Sequence, residues 1–151
     1  MGFYSTADFV PDNSVGYLAR RVHQLTQAGL EPVFAAEGLT NIQWHALISI
    51  YFKRGLSCAA LAHDLSYDKG ATTRLLDALE AKGWVVRERA TDDRRLIGLT
   101  LTRAGEEVTR HVRSRVIAAW NAWLSDWPEA DVAAALRVMQ RLRDTLMEKA
   151  A

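Results

Sequence analysis

The stretch from Ser57 to Leu101 constrains the fold most, because it places two short helix patterns directly before a pair of strand patterns. Ser57 can accept a hydrogen bond from a free backbone N–H and so cap a first helix. Asp68 can do the same for a second helix, predicted over residues 69–82, and Gly83 can take the left-handed conformation that follows many helices. The order predicts a helix-turn-helix.

The second of these helices has two chemically different faces. Its apolar side carries Ala71, Thr72, Leu75, Leu76 and Leu79. Its polar side carries Gly70, Thr73, Arg74 and Asp77. Hydrogen-bonding side chains and a long cation near the start of a helix suit contact with base edges in a DNA major groove. The alternative is the solvated face of an ordinary amphipathic helix.

A predicted β-hairpin follows the second helix. One strand begins at residues 84–86 and the other covers residues 96–101, where apolar and small or polar residues alternate. The hairpin carries four arginines: Arg87, Arg89, Arg94 and Arg95. Arginine is well suited to insertion into a narrow minor groove. Although a charged hairpin tip is often only a solvated loop, its position here favours a wing that contacts DNA.

The run DKGATTRLLDALEAKGWVVRERATDDRRLIGLTLTRAGEE resembles the signature of the MarR family of bacterial transcription regulators, and the resemblance extends over most of the chain. In that family a recognition helix ending in a lysine-glycine pair leads into a wing with a DxR-type tip. The family often has serine or threonine where this chain has Gly70 and Ala71, so base reading would depend more on Thr73, Arg74 and the backbone. The candidate DNA-contacting residues are Lys69, Gly70, Thr72, Thr73, Arg74, Arg94 and Arg95.

Long helix patterns flank this region on both sides. The first is predicted to run from Ser14 to about residue 36, with a kink near Pro32, and a Thr40–Gln43 capping box opens the next, which Gly55 would stop. Two more follow the hairpin. Thr102 would cap the first of these, Pro128 would end it, and the last covers residues 129–149.

The predicted fold is therefore mainly α with a small β-hairpin wing: a winged helix-turn-helix at residues 40–101 within a single domain of residues 1–151. The helices at residues 14–36 and 103–149 are predicted to form a homodimer. Their apolar positions exceed what the small lobe can cover, and two recognition helices reach successive major grooves only when two-fold symmetry spaces them.

Composition excludes several other classes of protein. The 151 residues carry a formal net charge of only +1, so affinity for DNA would have to come from a local patch. The single cysteine, Cys58, rules out an intramolecular disulfide and fits a cytoplasmic location. Neither a membrane span nor a signal peptide is predicted. The absence of catalytic and phosphate-binding motifs argues against an enzyme, and no cofactor or metal is expected.

The resemblance also implies that a small aromatic effector binds between the first, second and fifth helices. The candidate ligand contacts are Tyr17, Arg21, Trp44, His45 and His111. The alternative, and the more common case for any single aromatic residue, is an ordinary place in the core. The sequence thus predicts a DNA-binding regulator that represses a palindromic operator and is released by a phenolic or carboxylate ligand. The alternative is a winged-helix module that binds protein within a larger assembly, without such a ligand.

Overall fold

Six helices and one antiparallel hairpin make up the computed structural model, which describes residues 2–89 and 97–150. The elements are α1 (Val15–Ala35), α2 (Asn41–Tyr51), α3 (Cys58–Leu65), α4 (Lys69–Ala81), β1 (Val85–Arg89), β2 (Ile97–Leu101), α5 (Arg103–Trp123) and α6 (Glu129–Ala150). A short 3-10 turn at Pro11–Asn13 precedes α1. The mainly helical fold with a two-stranded wing confirms the predicted fold class. By its internal contacts the chain divides into two units, Met1–Arg115 and Val116–Ala151.

The ends of the two helix-turn-helix helices follow the predicted pattern. The Ser57 hydroxyl accepts a hydrogen bond from the Ala60 N–H (3.1 Å), and the Asp68 carboxylate accepts one from the Ala71 N–H (2.8 Å). Gly83, with φ of 71°, takes the left-handed conformation after α4. Local sequence therefore fixes where α4, the candidate reading helix, begins and ends.

The helices around this pair show both confirmed and wrong boundary predictions. Thr40 and Gln43 form the predicted capping box at the start of α2. The helix nevertheless ends at Tyr51, four residues before Gly55, and Lys53 takes the left-handed conformation with φ of 58°. Gly55 is instead buried where an added Cβ would lie 2.7 Å from Leu61 Cδ1. Its small size makes room for α3 and does not terminate α2.

Both long flanking helices exist with slightly different limits. The Ser14 hydroxyl accepts from the Tyr17 N–H at the start of α1, and the helix continues through Pro32. The kink expected near this proline stays a prediction. Helix α5 ends at Trp123, so the prediction that Pro128 ends it is wrong. Pro128 instead directly precedes α6, where its carbonyl accepts hydrogen bonds from two backbone N–H groups of the first turn.

The wing is tied to the helix-turn-helix by backbone hydrogen bonds. Strands β1 and β2 pair from Val85↔Leu101 to Arg89↔Ile97. The backbone just before α3 adds a third, very short segment, because the Leu99 N–H donates to the Leu56 carbonyl (2.9 Å). Leu99 is itself almost completely buried. The base of the wing thus belongs to the same core as α3 and α4.

The start of α5 lies very close to the start of the wing. The Thr102 hydroxyl accepts a hydrogen bond from the Gly105 N–H (3.0 Å), which confirms the predicted cap. A Cβ built on Gly105 would lie only 2.0 Å from the carbonyl oxygen of Trp84. Only glycine permits this approach of two backbones. No helix in the described part of the chain combines the length and apolar character required to cross a membrane.

Candidate nucleic-acid interface

Helix α4 turns one face into the core of the lobe and the other toward solvent. Leu75, Leu76 and Leu79 are buried, as their spacing predicts. Thr72 is also fully buried, and its hydroxyl donates to the Asp68 carbonyl (2.8 Å). It cannot reach a base edge, so its inclusion among the DNA-contacting residues is wrong. A threonine at such a position satisfies its own hydroxyl within the helix and packs like a β-branched apolar residue.

The solvent-facing side of α4 concentrates polar groups around its first two turns. Lys69, Gly70 and Arg74 are exposed, and Thr73 is half-buried with its hydroxyl donating to the Lys69 carbonyl (2.8 Å). A Cβ on Gly70 would lie 3.2 Å from a carboxylate oxygen of Asp68 and 3.7 Å from an Arg74 guanidinium nitrogen. The missing side chain therefore leaves room for both charged groups beside the helix N-terminus.

Asp68 is held in its ionised form at this end of the helix. Its hydrogen bond from the Ala71 N–H is the main cause of a lowered pKa, and the positive charge of Arg74 acts in the same direction. The carboxylate caps the helix and at the same time lies beside the Arg74 guanidinium. The carboxylate that fixes the start of α4 is therefore also a negative charge near Arg74 on the solvent-facing side of the helix.

Asp77 was predicted to lie on the reading face, and the structure shows that a strand of the wing engages it. The Arg87 guanidinium forms ion pairs with Asp77 and with Glu80, the second at 2.7 Å. The Arg87 N–H also donates to the Glu80 carboxylate (3.1 Å). Hydrogen bonding to Asp77 is the first cause of a raised pKa of Arg87. These contacts, here called the wing clamp (Asp77, Glu80 and Arg87), fix the orientation of β1 against α4.

The tip of the wing lies outside the described residues. Arg94 and Arg95, the candidates for minor-groove contact, both belong to that segment. Their role stays a prediction. The described base of the wing is attached to α4 by the contacts of Arg87.

The five predicted ligand contacts do not come together in one place. Trp44 is buried and stacks on Phe34, with ring centroids 5.8 Å apart, so it belongs to the core. Tyr17 and Arg21 are exposed on α1, and His111 on α5 pairs with Glu37 (3.1 Å). Among the five, His45 is the residue that lines the clefts described next.

Two neighbouring clefts meet at His45. The α1–α2–α3 cleft, of about 620 Å³, is lined by His23, Gln27, Thr40, Asn41, Ile42, His45, Asp64, Leu65 and Tyr67. The α2–α3 cleft, of about 630 Å³, is lined by His45, Ile48, Ser49, Phe52, Arg54, Asp64 and Leu65. Burial is the first cause of a lowered pKa of His45, the nearby His23 adds to it and Asp64 opposes it. The imidazole is therefore neutral at neutral pH.

Sequence reasoning missed several of the polar residues in these clefts. Ser49 lies one helical turn after His45, so its place on the same side of α2 could have been read from the spacing of four. Asp64 and Arg54 come from α3 and the loop before it, and their approach to His45 depends on how α2 packs on α3. No local sequence pattern predicts that Asp64 and Arg54 lie near His45.

A helix-turn-helix with a solvent-facing, N-terminally capped second helix and a braced β-hairpin defines a winged-helix DNA-binding protein. Similarity to known proteins agrees with this class. The model of the MarR family matches residues 39–97. The multiple antibiotic resistance protein MarR of Escherichia coli K12 is 33% identical over 107 residues, which span 69% of this chain and 73% of that protein. The chain belongs to the MarR family of transcription regulators.

Solved structures show the same fold. A variant of Escherichia coli MarR in complex with operator DNA aligns with a TM-score of 0.74 and 26% identity, over 85% of this chain and 92% of that one. CouR from Rhodococcus jostii RHA1, bound to p-coumaroyl-CoA, aligns with the same TM-score and 24% identity, over 91% and 92% of the two chains. The first of these structures shows that the fold accommodates a DNA duplex.

Proposed function

We propose that this regulator is a cytoplasmic repressor that binds a palindromic operator as a homodimer and is released by a small phenolic or carboxylate effector. The observation that carries the DNA-binding part is the face of α4, where Lys69, Thr73 and Arg74 surround an exposed glycine at a capped helix start. Occupancy of a promoter by such a dimer would block transcription by steric exclusion.

Support for the homodimer comes from apolar surface that the single chain leaves exposed. On α1 the exposed apolar residues are Val15, Leu18, Val22 and Leu25, and in the C-terminal unit they include Trp120, Trp123, Trp127, Leu136, Met139 and Leu146. Monomeric proteins seldom leave contiguous apolar patches of this kind uncovered. A second copy of the same chain would cover them and would space two α4 helices about 34 Å apart, the repeat of the major groove.

The DNA-binding proposal is tested by selecting genomic fragments with the purified protein and measuring affinity for the recovered site. The variant Arg74→Ala should weaken binding by about 1 to 3 kcal/mol per half-site and relax the base preference. The matched control is Arg110→Ala, which removes an exposed arginine from α5. Loss of Arg94 and Arg95 together should lower affinity, reduce its salt dependence and leave base preference largely intact.

If Arg74→Ala binds like the parent protein, base reading does not come from this helix face. If the chain enriches no DNA sequence at all, the alternative of a winged-helix protein-interaction module takes precedence. Such a module would show no salt-dependent affinity for duplex DNA, which makes the salt series a direct discriminator.

Support for an effector comes from the clefts that meet at His45 and from CouR, a protein of the same fold that binds a coumaroyl thioester. A ligand changes DNA affinity only through its different affinities for two conformations of the protein. A coupling of about 1 to 3 kcal/mol would lower operator affinity by roughly 5- to 150-fold.

A further inference from the structure

The segment between α1 and α2, residues 36–40 and here called the α1–α2 turn, is held by side chains from two later parts of the chain. The Glu37 carboxylate lies 3.1 Å from Nε2 of His111 on α5. The next carbonyl, that of Gly38, accepts a hydrogen bond from the ammonium group of Lys82 at the end of α4. Adjacent residues of this turn therefore contact a flanking helix and the candidate reading helix.

Lys82 uses its side chain for contacts within the protein. Its Nζ also lies 3.3 Å from Oε1 of Gln43, the oxygen that accepts from the Thr40 N–H (3.1 Å) in the capping box of α2. The same ammonium lies 4.7 Å from the ring centroid of Trp84, within the range of a cation–π interaction. Because fixing a long lysine side chain costs rotamer entropy, three contacts made together favour a specific role over that of a solvated surface cation.

The segment after α4 is joined to α5 by a second, independent set of contacts. The Thr102 N–H donates to the Trp84 carbonyl (3.0 Å), and the Thr102 hydroxyl donates to the Gly83 carbonyl (2.6 Å). These bonds have backbone acceptors and hold the start of α5 against the start of the wing. Lys82 adds a connection to the α1–α2 turn, and this connection is a side-chain contact that a single substitution removes.

A small displacement at the Lys82 end of α4 becomes large at its other end. Helix α4 has 13 residues, so it is about 20 Å long. A tilt of about 10° around its C-terminal end would move its first turn by about 3 Å. Hydrogen bonds to base edges tolerate far smaller changes in distance. The direction of α4 relative to the α1–α2 turn therefore affects whether both reading helices of a dimer can reach their bases.

We propose that Lys82 is a positioning residue, which fixes the direction of α4 against the α1–α2 turn and thereby sets the half-site spacing that a dimer accepts. The inference rests on the proposed function in one respect, since a half-site spacing exists only for a dimer on a palindromic operator. It goes beyond that function by assigning a role to Lys82. An exposed lysine beside a recognition helix would ordinarily be expected to contact a DNA phosphate. Here the ammonium group is directed at protein oxygens.

The experiment compares the full-length parent protein with Lys82→Met, which keeps the length of the side chain and removes the ammonium group. Affinity is measured for the selected operator and for two duplexes with one base pair added or removed between the half-sites. The parent should prefer its own spacing by at least about tenfold, since one base pair rotates and shifts one half-site relative to the other. Lys82→Met should reduce this preference to about threefold or less and leave the salt dependence of affinity unchanged. Lys82→Arg, which keeps a cation with several N–H donors, should restore most of the preference.

Two comparisons separate positioning from general stability. Lys53→Met removes an exposed lysine from the loop after α2 and should leave the spacing preference at the parent value. Unfolding lowers the concentration of active protein equally for all three duplexes, so a loss of stability alone would not change the ratio of their affinities. A weaker salt dependence in Lys82→Met would assign the lysine to a phosphate contact and overturn the proposal. So would an unchanged spacing preference in that variant, or a parent protein that binds all three duplexes equally.

Hydrogen exchange without DNA tests the contact itself. In Lys82→Met the amides of residues 38–43 should exchange at least about threefold faster than in the parent, while those in the middle of α4 stay unchanged. The reason is that Lys82 holds the Gly38 carbonyl and the Gln43 side chain, which in turn holds the Thr40 N–H. Equal exchange in the two proteins overturns the proposal.

The two measurements together keep this proposal distinguishable from the proposed function. A parent protein that selects no DNA contradicts the repressor, and faster exchange in Lys82→Met then still supports the contact of Lys82 with the α1–α2 turn. A parent protein and a Lys82→Met variant that discriminate the three spacings equally well support the repressor and overturn the role of Lys82.

Discussion

The lobe from α2 to β2 and the C-terminal unit use their apolar residues in opposite ways. In the lobe, Leu47, Leu61 and Leu76 have no exposed surface. In the described part of the C-terminal unit no residue is buried, and Trp123 and Leu136 are 43% and 57% exposed. The lobe completes its core within one chain, whereas the C-terminal helices carry the apolar pattern of a core that one chain does not complete. The difference indicates that the lobe is folded by its own contacts, and it supports our proposal that a second copy of the chain covers the C-terminal unit.

The largest expected effect is a loss of stability of the lobe when its tightest backbone contact is disrupted. In Gly105→Ala the new Cβ would overlap the Trp84 carbonyl oxygen, 2.0 Å away. Because both groups are backbone or fixed to it, neither can move aside cheaply, and the free energy of unfolding should fall by about 3 kcal/mol or more. Urea denaturation measures the change.

Gly16→Ala is the matched control for that prediction, because a Cβ there meets no atom within 4 Å. Within a helix this replacement should leave stability unchanged or raise it by up to about 1 kcal/mol. Equal stability of the two variants would mean that α5 does not approach the wing as closely as the structure shows.

Breaking the wing clamp should have an intermediate effect. It distinguishes contacts that stabilise the fold of the lobe from contacts that orient the lobe for DNA binding. Arg87→Ala would leave Asp77 and Glu80 without their shared cation and free β1 to change its angle to α4. DNA affinity should fall by about 1 to 2 kcal/mol, while stability falls by less, because Arg87 and its partners are partly solvent-exposed.

The control for the clamp is Arg103→Ala. It removes an ion pair with Glu107 of similar length (3.0 Å) from the exposed surface of α5. Such a pair should contribute less than about 0.5 kcal/mol to stability and nothing to DNA affinity. A clamp variant that behaved like this control would show that the wing is oriented by its backbone alone.

The smallest expected effect is a dependence of the folding stability on pH. The pKa of His45 in the folded protein lies below its ordinary value of 6.5, so the unfolded chain binds the proton more readily. Full stability is therefore expected above pH 6.5, with a gradual loss as the pH falls below 6.5 and through the folded pKa. Because His45 is partly exposed, the loss should stay below about 1 kcal/mol. His45→Gln should reduce the slope between pH 7.5 and 5.5 in urea denaturation, and an unchanged slope would assign the pH dependence to other groups.

Sequence signals were sufficient wherever a local interaction determines structure. The Ser57, Asp68 and Thr40 caps and the two faces of α4 depend on neighbours within a few residues, and they were predicted correctly. Glycine gave a weaker signal, because Gly55 resembles a helix terminator yet serves close packing against Leu61. A residue type that serves both purposes does not reveal its purpose from its position alone.

The residues of the candidate sites were harder to predict from the sequence, because these sites depend on tertiary contacts. Thr72 and Thr73 are adjacent and chemically identical, yet only Thr73 retains any exposure. Asp77 was grouped with the reading face because nothing in the helix pattern shows that Arg87, ten residues later, would fold back onto it. The α2–α3 cleft needs the packing of two helices and the loop between them, so the sequence suggested His45 but not Ser49 or Arg54.

The measurement that tests the account most directly is the mass of the complex with a duplex carrying the selected site, determined by native mass spectrometry for the parent protein and for Leu136→Glu. The parent should be a dimer that places two chains on one duplex. Leu136→Glu puts a charge on the exposed apolar face of α6, so it should give a folded monomer with at least about 100-fold weaker DNA binding. A single chain bound per duplex at full affinity, or an undisturbed dimer in the variant, would contradict the central claim.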